Sequence, residues 1–269
     1  VLAIKGFAYW GIVIQTVANS LVGTVLRWYY VSWHPTLTFK IAPLKEMYVF
    51  GIKVFLTNVF SQINANIFSI LLGRFYKPEQ VGYYTQGNKW MNMGYSFVWN
   101  MIGGVSLPVL TEVVADVKRQ QNVFRKMLRF VSFISFPSML GLALVAQELI
   151  VIGVSDKWLP CVPIMQLLCV WGAVAPIGNL YSHVLLSHGK SELYLYCTIF
   201  LGVFQLIVVI CMLPFGVYYM VLAFVVVNIL WLFVWHYFVN KCIEVHVLDV
   251  LKDVLPFFSI TIAILGVTY

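Results

Sequence analysis

Charged residues are scarce in this sequence. Of its 269 residues, 10% are Asp, Glu, Lys or Arg and 61% are hydrophobic, whereas soluble domains contain about 25% charged residues. So little polar surface excludes a soluble globular protein, and a mean hydropathy of +0.89 indicates a membrane protein with several spans. Helices of about 20 residues would give about seven or eight passes in a chain of this length.

Carboxylates are missing from the interior of the apolar runs. All ten acidic residues lie in loops or at the ends of spans: Glu46, Glu79, Glu112, Asp116, Glu148, Asp156, Glu192, Glu244, Asp249 and Asp253. Transporters coupled to protons or sodium usually bury a carboxylate that carries the ion. The sequence therefore disfavours a cation-coupled drug exporter, and any coupling carboxylate is expected outside this sequence.

Motifs of enzymes, metal sites and disulfide frameworks are missing too. The five histidines lack metal-ligand spacing, and neither a phosphate-binding loop nor a Gly-x-Ser-x-Gly nucleophile elbow occurs. The five cysteines contain no Cys-x-x-Cys pair and are expected to be buried thiols. We therefore expect no catalytic residues, no cofactor and no metal, and we interpret the chain as a protein that is not an enzyme.

Long apolar runs define the expected spans. Seven are long enough to cross a bilayer: Phe7–Val31, Met47–Gly73, Gly82–Leu107, Met127–Ile150, Cys161–Leu186, Leu193–Leu213 and Val217–Val239. An eighth run, from Val254 to the last residue, has 16 residues and is shorter than the roughly 20 needed. Since residue 1 is a valine and no signal peptide precedes the first run, we expect a fragment of a longer protein.

The basic residues predict the orientation of these spans. Loops after the first, third, fifth and seventh runs collect eleven Lys and Arg residues, and the opposite side collects five. Lys and Arg concentrate in cytoplasmic loops, so the side with eleven is expected to be cytoplasmic. The net charge of +7 is explained in this way, and no nucleic-acid partner is expected.

Polar residues cluster on the second and third runs. On the second, Lys53, Asn58, Gln62 and Asn66 belong to a polar set that covers about 220° of the helix circumference. On the third, Asn88, Lys89 and Asn92 lie on one face opposite an apolar face. Polar groups within a bilayer are costly and often mark substrate pathways. We predict that these seven residues line a cavity.

Two alternatives stay open for these residues. Asn and Gln side chains also bond neighbouring helices together, at about 0.6 kcal/mol each. Lys53 is six residues into its run, so its ammonium group could instead extend to the cytoplasmic headgroups.

Three segments between the runs are distinctive. Residues 32–46 contain two prolines and no continuous apolar run, which predicts a cytoplasmic linker between two helix bundles. Residues 111–130 and 240–253 alternate apolar and charged residues with helical spacing. This alternation predicts amphipathic helices that lie along the anionic inner surface of the membrane.

Several motifs, in this order, resemble those of one transporter family. They are WHPTLTF after the first run, FG at the start of the second, ILLGRFYKPEQVGYYTQGNKW between the second and third, LPVL at the end of the third, FPSMLGLALVAQELI and SDKW in and after the fourth, and LLSHGK after the fifth. The chain resembles the Wzx-type polysaccharide flippases of the multidrug/oligosaccharidyl-lipid/polysaccharide exporter superfamily. The most specific motif is LGRFYKPEQVGYY.

The resemblance implies an all-α, polytopic transmembrane bundle of the MATE-like exporter type. Residues 1–31 would form the last helix of the N-terminal lobe, 32–46 the linker, 47–239 the six-helix C-terminal lobe, 240–253 an amphipathic segment, and 254–269 the truncated start of a further helix.

The resemblance also implies a function. Members of the family flip undecaprenyl-diphosphate-linked oligosaccharide across the bacterial inner membrane by alternating access, for O-antigen, capsule or exopolysaccharide synthesis. Expected partners are this lipid-linked oligosaccharide, membrane lipids, the polysaccharide polymerase and chain-length proteins. The seven candidate residues would line one lobe's share of a cationic cavity. The alternatives are a cation-coupled multidrug exporter of the same superfamily and a membrane enzyme of polysaccharide assembly.

Overall fold

The structure is a computed structural model that describes residues 8–31 and 41–268. Every regular element within these ranges is helical, as the composition predicted. The longer helices are α1 (Ala8–Tyr30), α2 (Ile41–Phe75), α3 (Pro78–Glu112), α4 (Val117–Leu144), α5 (Ala146–Gly153), α6 (Val162–Ser187), α7 (Ser191–Cys211), α8 (Val217–Ile243) and α9 (Val247–Thr268). Short 3-10 turns at Asp156–Cys161 and Leu213–Phe215 connect α5 to α6 and α7 to α8.

The chain divides into two compact units, Val1–Glu46 and Met47–Tyr269. The first contains α1, whose apolar side chains are exposed, as shown by Leu21 at 60% and Val25 at 64%. The second contains α3 to α9 and most of α2. Extensive exposure of large apolar side chains is expected for helices that contact lipid.

Helix α6 is the centre of the second unit. It packs against α3, α4 and α8, while α9 packs on α4 and α7 on α8. Leu168, Leu180 and Leu185 of α6 are almost fully buried. The hydrophobic core therefore lies along α6, and the surrounding helices turn their other faces outward.

Small and hydroxyl residues allow α6 to be approached closely. A Cβ atom on Gly87 of α3 would lie 3.2 Å from the Met165 nitrogen and 3.3 Å from the Cys161 carbonyl oxygen, so the absence of a side chain lets α3 lie directly on the α6 backbone. Pro176 cannot donate a hydrogen bond to the carbonyl four residues earlier. The Ser135 hydroxyl of α4 donates to this region, 3.4 Å from the Gly172 oxygen that Pro176 leaves free and 2.7 Å from the Ala173 oxygen, so a neighbouring helix compensates for the interruption of α6.

Six helices in the described part of the chain are long and apolar enough to cross a membrane: α2, α4, α6, α7, α8 and α9. Helix α9 starts at Val247, so residues 247–253 and the last apolar run belong to one helix. Helix α3 has 35 residues, which gives a length of about 52 Å against a hydrocarbon thickness of about 30 Å. Polar residues interrupt it along its whole length.

The prediction of a surface-lying helix at residues 111–130 is wrong. Residues 117–130 are the first half of α4, which runs without a break from Val117 to Leu144. Phe124 and Leu128 are fully buried, and the Phe124 ring stacks on Tyr181 of α6 at a centroid distance of 5.7 Å. The amphipathic pattern is the signature of a helix that buries one face against the protein itself.

Candidate functional site

One face of α3 carries the polar residues that the sequence singled out. Lys89 and Asn92 are exposed and Asn88 is partly exposed. The Asn92 side-chain amide donates to the Asn88 side-chain oxygen at 3.0 Å, since residues four apart are neighbours on a helix. Met91 and Val98 are buried in the bundle, whereas Phe97 and Met101, which also lie away from the amides, are exposed. Within its own unit, the amide face of α3 is therefore not covered.

The polar side chains of α2 differ in their exposure. Asn58 and Gln62 are exposed, whereas Thr57 is fully buried and donates to the Lys53 carbonyl oxygen at 2.8 Å. The side chain of Asn66 lies outside the described residues.

Lys53 is paired with an acid from another helix. Its ammonium group donates to a carboxylate oxygen of Glu192, in the first turn of α7. The Lys53 side chain is 25% exposed and that of Glu192 is 64% exposed. The structure therefore places Lys53 in an ion pair at the predicted cytoplasmic end of α2, apart from the amides of α3. A single-helix pattern could not reveal this partner, because it is 139 residues away.

Helix α2 is anchored at two points along its length. The Lys53–Glu192 pair, twelve residues after the helix begins, joins it to α7. Towards its other end, the Phe68 ring lies 4.8 Å from Tyr84 of α3 and 5.6 Å from Phe224 of α8, measured between centroids. A cavity of about 420 Å³ lies between these two anchors, and the sequence analysis gave no indication of it.

A second ion-pair cluster joins α4 to α9. Arg125 donates to Asp253 through Nε at 2.6 Å and through Nη2 at 3.3 Å. Asp249 and Arg129 complete the cluster, at 3.6 Å and 3.5 Å from their partners. The Asp253 side chain is 7% exposed. These basic residues were predicted to contact lipid headgroups, but Arg125 instead holds α9.

Gln120 of α4 connects three helices at the predicted cytoplasmic end. Its fully buried amide donates to the Leu110 carbonyl oxygen and to Ser187 Oγ, both at 3.1 Å. Its oxygen lies 2.9 Å from His188 Nε2. Burial, followed by the charge of the nearby Lys190, lowers the pKa of His188. The network is satisfied with a neutral imidazole and is a structural junction between α3, α4 and α6.

Metal chemistry finds no support in the part of the chain that the structure describes. Within residues 8–31 and 41–268, no three His, Cys, Asp or Glu side chains come together in a way that could hold a metal ion. The available chemistry is that of exposed amides, hydroxyls and a few cations on long helices.

Comparison with known proteins places these features in context. A family model described as "Polysaccharide biosynthesis protein" matches residues 1–163. The teichuronic acid biosynthesis protein TuaB of Bacillus subtilis (strain 168) is 29% identical over 195 residues, which cover 69% of this chain and 38% of TuaB. The lipopolysaccharide biosynthesis protein WzxC of Escherichia coli (strain K12) is 25% identical over 188 residues, covering 65% of this chain and 36% of WzxC.

Two further matches complete the comparison. An uncharacterized membrane protein in the cps region of Klebsiella pneumoniae is 29% identical over 179 residues, 66% of this chain and 36% of that protein. Among solved structures, the lipid II flippase MurJ in an inward closed conformation superimposes with a TM-score of 0.65 at 18% identity, over 100% of this chain and 58% of MurJ. That likeness shows a shared helical fold. The chain spans a little over a third of the length of the curated relatives that it matches.

Proposed function

Because the chain belongs to the polysaccharide biosynthesis protein family, we propose that it forms part of a membrane flippase for lipid-linked polysaccharide precursors. The substrate is an oligosaccharide on undecaprenyl diphosphate, carried across the bacterial inner membrane by alternating access. The names of TuaB and WzxC, which refer to teichuronic acid and lipopolysaccharide biosynthesis, support a precursor of a surface polymer. The polysaccharide polymerase and chain-length proteins are the proposed partners.

The domain arrangement is part of this proposal. Residues 1–31 close one lobe, 32–46 link the lobes on the cytoplasmic side, and 47–239 form the second lobe. The separate amphipathic segment predicted at residues 240–253 is not kept, because residues 240–243 end α8 and residues 247–253 are the first turns of α9. Residues 254–268 continue α9 as a further membrane helix. The division of the chain after Glu46 is consistent with this arrangement.

The uncovered amide face of α3 is the observation that carries the proposal. Helix α3 is not apolar enough to be one of the six candidate spans, but it has 35 residues and packs along α6 and α4, which are. We infer that it crosses the hydrocarbon layer with them. Polar side chains there face protein or a water-filled cavity, because exposure to lipid leaves them without hydrogen bonds. Asn88 and Asn92 are not covered by the rest of their own unit. A transport pathway along α3 accounts for their position.

The chemistry of this face suits a hydroxyl-rich, anionic substrate. Primary amides donate and accept hydrogen bonds, as sugar hydroxyls do. Lys89 adds an exposed cation next to Asn88, suited to the diphosphate group. Asn58 and Gln62 add amides from α2, whereas Lys53 is already neutralised by Glu192. We assign Lys89 and five amides to the substrate pathway: Asn58, Gln62, Asn66, Asn88 and Asn92. Asn66 is included on its sequence position.

A complementation experiment tests this proposal. The full-length protein carrying Asn88→Leu and Asn92→Leu is expressed in a strain that lacks its own flippase, and surface polymer is measured per cell. Losing two hydrogen bonds of about 1 kcal/mol each predicts a transport rate lower by about 30-fold. The control is Met93→Leu, at an exposed position on the same helix. Membrane levels of all variants are compared by immunoblot.

Two results would contradict the proposal. Failure of the wild-type protein to restore polymer would remove the assigned function in that host. Wild-type polymer from the double variant, at an equal membrane level, would remove the amide face of α3 from the pathway.

A further inference from the structure

The cavity beneath α2 is a second candidate binding site, separate from the amide face of α3. It lies between α2, α3, α6, α7 and α8 and has a volume of about 420 Å³. Ser61, its lining residue on α2, lies eight residues after Lys53 and seven before Phe68, so it is about 12 Å and 10 Å along the helix from the two anchors. The cavity is therefore at membrane depth.

The lining combines aromatic rings with uncharged polar groups. The rings are Tyr95, Trp171, Tyr194, Phe224, Trp231 and Trp235, and the polar side chains are Ser61, Asn179, Ser182, Thr198, Gln205 and Asn228. None of the described residues that line the cavity is Asp, Glu, Lys, Arg or His. A charged ligand would lose its hydration without gaining an ion pair. The ligand that fits this lining is uncharged.

The polar groups also distinguish between uncharged ligands. The Gln205 amide lines this space, and Tyr95, which accepts a hydrogen bond from Asn179 at 3.0 Å, keeps its own O–H to donate among the described residues. An acyl chain would leave such groups unsatisfied, at about 1–3 kcal/mol each. Water would satisfy them but would wet the faces of the surrounding rings, which is unfavourable for apolar surface. A sugar ring offers hydroxyls to the polar groups and C–H faces to the aromatic rings.

The size of the cavity is compatible with such a ligand. Small-molecule sites usually enclose about 300–1,000 Å³ and are lined by aromatic residues with a few oriented polar groups. At about 30 Å³ per water molecule, the cavity corresponds to about fourteen waters. It exceeds the space needed for a structural water or two.

We propose that this cavity binds an uncharged sugar ring of the transported glycan during its passage. The inference rests on the proposed function and adds a sugar subsite inside the lobe, with the Gln205 amide and the Tyr95 hydroxyl as donors. The diphosphate and any acidic sugar stay outside it.

Site-specific photo-cross-linking tests the inference whatever the identity of the sugar. In the full-length protein, expressed in its own host, a diazirine-bearing leucine analogue replaces Leu201, which lines the cavity. The same analogue replaces Ser96 on the exposed polar face of α3. A third probe replaces Leu144, which lines a separate apolar groove of about 330 Å³. After irradiation of cells, the purified protein is analysed by mass spectrometry.

The expected result is an adduct containing neutral sugar residues at position 201 and a lipid adduct without sugar at position 144. Adding Gln205→Met, which keeps the length of the side chain and removes the amide, is expected to lower the sugar adduct at 201 by about fivefold, the equivalent of one hydrogen bond of about 1 kcal/mol. The adduct at position 96 should not change.

Two outcomes would overturn the inference, and they differ from a failure of the proposed function. A phospholipid adduct or no adduct at position 201, with a glycan adduct at position 96, would exclude the sugar subsite and leave the proposed pathway intact. Absence of a glycan adduct at both positions would remove both.

Discussion

Removing Arg125 should release the beginning of α9 from α4. Arg125 makes two hydrogen bonds to Asp253, whose side chain is 7% exposed. Breaking a buried pair by removing one partner costs about 3–5 kcal/mol, because the remaining charge is left desolvated. Arg129 stays 3.5 Å from the other carboxylate oxygen, and the Arg125 side chain is itself 29% exposed. We therefore expect Arg125→Met to cost about 3 kcal/mol, the lower end of this range.

Hydrogen–deuterium exchange of the full-length protein in lipid nanodiscs measures this cost directly. If α9 opens locally, lowering the free energy of this opening by about 3 kcal/mol accelerates exchange of the backbone amides of residues 251–255 by about 150-fold. The double variant Arg125→Met, Asp253→Leu should exchange much more slowly than the single variant, since no buried carboxylate remains to be solvated. Lys126→Met, which alters an exposed neighbouring cation, is the matched control.

Either of two results would refute this reasoning. Exchange in Arg125→Met that is no faster than in Lys126→Met would mean that the ion pairs do not hold α9. A double variant that exchanges as fast as the single variant would mean that lost packing, rather than an unpaired carboxylate, causes the effect.

Three further predictions concern other parts of the second unit. Gly87→Ala should lower the free energy of unfolding by about 1–3 kcal/mol, measured by SDS-induced unfolding. Gly141→Ala, whose added Cβ would meet open space, should not lower it. Equal effects of the two substitutions would exclude close packing as the cause. Burial lowers the pKa of His188, so the folded protein binds fewer protons there than the unfolded protein, and stability is greatest above a pH of about 6.5 and falls below it. His188→Asn should therefore reduce the loss of thermal stability between pH 7.5 and 5.5. An unchanged loss would contradict this prediction. Lys53→Ala and Glu192→Ala should lower polymer export equally if the ion pair is the role of Lys53; a larger loss in Lys53→Ala would indicate that Lys53 contacts the substrate anion.

Features that repeat along one helix were predictable from the sequence. The helical membrane fold was predicted from hydropathy, and membership of a polysaccharide biosynthesis family was predicted from motifs such as LGRFYKPEQVGYY; both are confirmed. The division of α3 into an amide face and a buried face follows from a period of 3.6 residues. Of the four apolar residues predicted opposite the amides, Met91 and Val98 are buried in the bundle, whereas Phe97 and Met101 are exposed.

Features that depend on two distant segments were not predictable. Lys53 has no acid on its own helix, and its partner Glu192 is brought to it by the packing of α2 and α7. The basic residues after Val117 alternate with apolar ones in the same way on a membrane surface and on a protein surface. Only the position of α9, which supplies Asp253 to Arg125, distinguishes the two. The sugar-sized cavity arises from five helices at once.

The placement of charge in the second unit follows a single physical rule. Its ion pairs, Lys53 with Glu192 and Arg125 with Asp253, lie near the predicted cytoplasmic ends of their helices, where desolvation costs less than at the bilayer centre. Amides, hydroxyls and aromatic rings occupy the membrane depth. A flippase for a glycan on a diphosphate has to handle a neutral and an anionic part of one molecule. On the proposed function, this lobe contacts the sugars through its uncharged groups. Lys89 is an exposed cation next to the amides of α3. We therefore expect the diphosphate to lie near Lys89 when the glycan occupies the lobe.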